Sequence, residues 1–138
     1  MSLEAVSIST SKYVTTVNAK IDDHVYIVHK MGAGTQLDLS REMSTLMKMR
    51  TDLMNLEAKM KKAGSEEESE KMLQENMDKL EAFDKVVKRI EAIFIGIFDD
   101  REDGKKSEKL VHMLGIDNIQ KVYTEIFDKA EKEEDAEK

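Results

Sequence analysis

No cysteine occurs in this chain, so disulfides, thiolate metal sites, iron–sulfur clusters and a cysteine nucleophile are excluded. Proline is absent as well, and with it the strongest helix breaker. Tryptophan is missing and aromatics are only 5% of residues, which leaves the core to Leu, Ile, Val and ten Met. Long apolar runs are lacking too. The longest, Ala92–Phe98, falls far short of the ~20 residues that span a bilayer, and the N-terminus shows no basic-then-apolar signal pattern. These absences point to a soluble, cytoplasmic protein suited to a reducing compartment.

What is present fits one domain. The 138 residues are 40% hydrophobic, too apolar for a wholly disordered chain, and 37% charged, more than a typical compact enzyme domain. The net charge of −7 is unevenly spread. Residues 1–64 hold nine Lys/Arg against seven Asp/Glu (+2), and residues 65–138 hold thirteen against twenty-two (−9). An acidic second half repels nucleic-acid phosphate and anionic lipid, so neither nucleic acid nor membrane is expected as a partner.

Residues 1–12 are Ser/Thr-rich and weakly patterned, as expected of a flexible arm. A single domain is expected over 13–128. From Tyr13 a β-branched run begins, with Val17, Ala19 and Ile21 on one face at period two. Asp22-Asp23 is a turn signal, and His24–His29 is a second β-prone run. Together they predict a β-hairpin over 13–30, which needs a helix, a third strand or another subunit to cover it. Gly32-Ala33-Gly34-Thr35 lacks the Lys-Ser/Thr pair of a phosphate-binding loop and the third Gly of a dinucleotide fingerprint, so it reads as a connection.

Helical periodicity takes over from there. Leu39, Leu46, Met49, Leu53, Leu56 and Met60 predict a helix over about 38–63, capped by Thr35 or Asp38 and stopped by Gly64. Ser65–Glu68 has the form of a capping box, opening a second long helix over about 66–98 on Leu73, Met77, Leu80, Phe83, Val87, Ile90, Phe94 and Ile97. Its last turns, Ile93–Phe98, are too apolar for water on any side and must be core or interface. Two short helices are expected at 107–114 and 118–129, then a flexible acidic tail over 129–138. The fold class is α+β, mainly α: a hairpin followed by two long and two short helices in a small bundle.

Chemistry-bearing groups are sparse. His24 and His29 are five apart, so in one strand they face opposite ways, and His112 stands alone. No metal-ligand spacing is present, and no cofactor is expected. The carboxylates fall on polar helix faces or in the tail, with Asp84 the nearest to an apolar stripe, and no Ser lies in a nucleophile elbow. An enzyme is not expected. The methionines say more, because six lie in or beside the first helix and Met43, Met47, Met49, Met54 and Met60 cover more than one narrow seam. Met is flexible and polarisable, so such a face can repack around different helical partners.

The order of parts, with Lys30-Met31-Gly32-Ala33-Gly34-Thr35-Gln36-Leu37-Asp38-Leu39-Ser40-Arg41 after a hairpin, then Ile97-Phe98-Asp99-Asp100, Leu110–Ile116 and Tyr123–Phe127, resembles the tail assembly chaperones of long-tailed bacteriophages and prophages. The resemblance covers about Tyr13 to Phe127. It implies a non-enzymatic role in the host bacterial cytoplasm: coating the long helical tape-measure protein so that it stays soluble, and bringing tail-tube subunits to it. The expected contact or assembly surface is Leu46, Met47, Met49, Leu53 and Met54, with Ile93, Phe94, Ile97 and Phe98. The bland reading makes these nine the monomer core. Two rival functions are a homo-oligomeric coiled-coil adapter, and an acidic regulator that occupies a basic site on its target.

Overall fold

The computed structural model describes residues 4–8 and 15–137, with side chains as far as Lys132. Residues 1–3 and 9–12 of the expected arm, strand positions 13 and 14, and residue 138 lie outside the described residues.

The hairpin forms from β1 (Thr16–Ile21) and β2 (His24–His29), paired antiparallel with Val17 opposite Val28 and Ala19 opposite Tyr26. Asp22 takes a positive φ of 55° in the two-residue turn, a conformation that Asp tolerates better than most residues. Alternation then sorts the side chains: Tyr26 and Val28 are buried, and Val25, on the other face, is exposed.

A third strand seals the hairpin. β3 (Phe98–Asp99) pairs antiparallel with β2, Phe98 opposite Val28 and Asp99 opposite Ile27. The sequence pattern placed Phe98 in a helix and Asp99 in a loop; instead the helix stops at Ile97. The reason lies in packing. The strand puts the Phe98 ring fully inside, edge-on to Tyr26 with centroids 6.4 Å apart.

Helix α1 (Ala33–Lys61) starts earlier than its expected caps. Neither Thr35 nor Asp38 caps it. Gly32 holds the N-cap position without a side-chain bond, and Gln36 Nε2 donates to the Met31 carbonyl. The Met31 N–H in turn donates to the Tyr123 hydroxyl at 2.8 Å, so the connection is held from both sides.

Beyond α1, Ser65 Oγ accepts the Glu68 N–H as expected of a capping box, while the Glu68 carboxylate accepts the Gly64 N–H. The single expected helix over 66–98 is broken into α2 (Glu66–Glu75) and α3 (Met77–Ile97). Asn76 makes the break, its Nδ2 donating to the Met72 carbonyl at 2.7 Å in competition with the helix ladder.

The two expected short helices form as the two halves of α4 (Lys105–Glu137), divided at Gly115, whose backbone is not helical. The second half runs to Glu137 instead of ending near 129, through Lys, Glu and Ala residues of high helix propensity. The core joins Tyr26, Val28, Met31, Leu46, Val86, Ile90, Phe94, Ile97, Phe98, Leu110, Val111, Ile116 and Ile119 in one cluster. Thus α3 lies centrally, with α1 along one side and the sheet and α4 along others. Among the described residues no helix is long and apolar enough to cross a membrane.

Candidate partner-binding face

Helix α1 carries two heptad rows two residues out of step, and hence on nearly opposite faces. The inner row runs through Leu39, Glu42, Leu46, Met49, Leu53, Leu56 and Met60, all buried or half-buried. Leu46 is fully buried in the core. Glu42 fits this row because Arg89 of α3 meets it with two parallel bonds, 2.9 and 3.1 Å long.

The outer row runs through Leu37, Ser40, Ser44, Met47, Thr51, Met54 and Ala58, every one exposed and none charged. Met47 and Met54 are 64% and 69% exposed, and Leu37 is 52% exposed. The Thr51 hydroxyl donates to the Met47 carbonyl, so it leaves no unmet polar demand on this face. Over these residues the row is about 32 Å long.

The nine expected contact residues therefore separate. Met47 and Met54 are on the open face. Leu46, Phe94, Ile97 and Phe98 are inside the core, where a partner cannot touch them, and this part of the expected surface is corrected. Met49 and Ile93 pack half-buried against that core, and Leu53 is half-buried on the inner row. Met43 is half-buried too, its sulfur accepting from Gln120 Nε2 of α4. Leu37, Ser40, Ser44, Thr51 and Ala58 were not singled out from sequence. Their signal was an uncharged residue at every step of three and four, easily overlooked because four of the five are small or polar.

Elsewhere the surface offers shallow features. A groove of about 430 Å³ lies between β1 and the second half of α4, floored by Val17, Ala19, Ile21, Val122 and Ile126. Near the hairpin turn, Lys106 Nζ donates to His24 Nδ1 at 3.1 Å, and the Tyr26 hydroxyl donates to the Lys106 carbonyl. Burial, reinforced by the Asp100 and Asp22 carboxylates, raises the Tyr26 phenol above its usual 10.0 and keeps it a donor. His112 lies 3.1 Å from the Glu91 carboxylate on the surface. Among the described residues no three of His, Asp and Glu converge as metal ligands.

Compared with protein-family models, curated proteins and solved structures, the chain matches none.

Proposed function

We propose that this chain is a tail assembly chaperone of a long-tailed bacteriophage or prophage, which holds the tape-measure protein soluble and delivers tail-tube subunits to it. The observation that carries this reading is the outer row of α1, where Met47 and Met54 stand exposed on a long uncharged stripe. A tape-measure protein is a long helix with apolar stripes, prone to aggregate alone. A stripe of flexible Met side chains among small residues can accept such a helix in many registers. The net charge of −7 keeps a coated complex soluble.

The test is co-expression with a long tape-measure-like protein sought among the neighbouring genes, followed by pull-down and a solubility assay; the absence of any such gene also counts against the reading. The partner should become soluble only when this chain is present. Met47→Asp with Met54→Asp should abolish that effect and leave the thermal unfolding midpoint nearly unchanged, since both side chains are in water already. A partner that stays insoluble beside the wild-type chain overturns the reading, and the homo-oligomeric coiled-coil adapter then takes its place.

A further inference from the structure

We infer that the outer face of α1 docks an α-helix of another protein whose apolar heptad seam is flanked by acidic residues. This deepens the chaperone reading, on which it rests for the partner's identity, by naming the partner's chemistry. The first observation is register. Along the row's steps of three and four, Ser40 and Ser44 separate Leu37 from Met47, Thr51 separates Met47 from Met54, and Ala58 follows, so the large side chains are spaced by gaps that can receive a partner's knobs.

The second observation is charge. Along one flank of the row, Arg41, Lys48 and Lys62 stand at multiples of seven residues, with Asn55 in the remaining place. All three cations are exposed, and among the described residues none forms an ion pair. The opposite flank has Gln36, Met43, Arg50 and Glu57, of which Arg50 already faces Asp117 and Glu57 faces Lys61. Basic residues beside an apolar seam select acidic residues across it.

A second copy of this chain is a poor occupant. Two α1 rows pairing antiparallel along this flank in full overlap would set Arg41 of each copy against Lys62 of the other, cation against cation, and Lys48 against Asn55, with no acidic residue opposite any of them. On α2 and α3 the exposed apolar pair Leu73 and Met77 is a single turn long. The solvent face of the second half of α4, through Gln120, Lys121, Thr124, Glu125 and Asp128, has no large apolar residue, and in the first half Met113 is exposed singly. Among the described residues no other exposed apolar row on a helix of this chain is longer than a single turn.

Two labelled four-heptad peptides test this, both with Leu at the seam positions, one with Glu and the other with Lys at the flanks. Each is titrated with the full chain by fluorescence anisotropy. The Glu peptide should bind about tenfold tighter or more than the Lys peptide, and added salt should weaken it. Arg41→Glu, Lys48→Glu and Lys62→Glu together should reverse that order, and Met47→Asp with Met54→Asp should remove binding of both. Circular dichroism checks that each variant stays folded.

Failure of the wild-type chain to bind the Glu peptide, or an order that charge reversal leaves unchanged, overturns the inference. So does a dimer in sedimentation that Met47→Asp with Met54→Asp dissociates, since the face then belongs to a second copy. The co-expression assay separates the two readings. If the charge-reversed chain still solubilises the tape-measure-like partner, the chaperone reading stands and the acidic-flank inference falls. If the Glu peptide binds and that partner stays insoluble, the inference stands and the chaperone reading falls.

Discussion

Leu46 and Met47 are neighbours in sequence with opposite environments, one fully buried and the other 64% exposed. Leu46→Ala should cost about 2–5 kcal/mol, because it leaves a cavity among α1 and α3 side chains that can relax only partly. Met47→Ala should stay within about 0.5 kcal/mol. Chemical denaturation of the two variants measures this contrast. Asp100 shows a polar residue used as structure. One carboxylate oxygen accepts the Glu102 and Gly104 N–H groups at 3.1 and 2.9 Å, and the other accepts the Ser107 N–H at 2.9 Å. The Ser107 bond, then those from the other loop amides, hold this carboxyl below its ordinary 3.8 against the opposing effect of burial. A depressed carboxyl pKa contributes stability that is fully present above the unfolded value and lost as pH falls through the folded one. Asp100→Asn should therefore lower the unfolding midpoint at pH 7, and its deficit against wild type should shrink below the ordinary carboxylate range. Thermal melts across that range check the sign.

At the scale of elements, the fold turns on three interruptions. Gly115 divides α4 with φ 80° and ψ 168°, a region open essentially to glycine alone. A Cβ there would meet nothing within 4 Å, so Gly115→Ala isolates the backbone cost. It should lose about 1–3 kcal/mol, read by denaturant midpoint, without any steric clash to blame. Asn76 divides α2 from α3 by bonding back to Met72, and the heptad rhythm runs through that break without a skip. Periodicity was therefore blind to it, whereas the Asn itself was the available signal. The third interruption, at Phe98, has no local signal, since a two-residue strand contains no period. Ser107 ties the start of α4 to the end of α3, its buried hydroxyl donating to the Ile95 carbonyl.

Across the whole molecule, one core joins β2, α1, α3, β3 and α4, and α2 contributes no buried residue to it. Stability should accordingly be uneven. Amides of α2 should exchange hydrogen through local opening, with much lower protection than those of Val86–Phe94 in α3, which should exchange only on global unfolding. Hydrogen exchange resolved by residue tests this; equal protection in both helices would mean that α2 is held by more than its visible packing. Charge is divided as well, because the slightly basic first half holds the open α1 face and the acidic second half holds most of the remaining helix surface.

The local chemistry of the chain was sufficient for the hairpin, the helical rest and the Ser65 cap. β-branched alternation, a turn between its two runs and steps of three and four all act within a few residues of one another. It also showed that methionines cover more than one stripe of the first helix. What it could not say is which stripe faces inward, because two rows two residues out of step repeat with the same period. That choice belongs to α3: Val86, Ile90 and Phe94 take up the Leu46 row and leave Met47 and Met54 in water. Burial is a relation between elements distant in sequence, and only their packing against each other decides it.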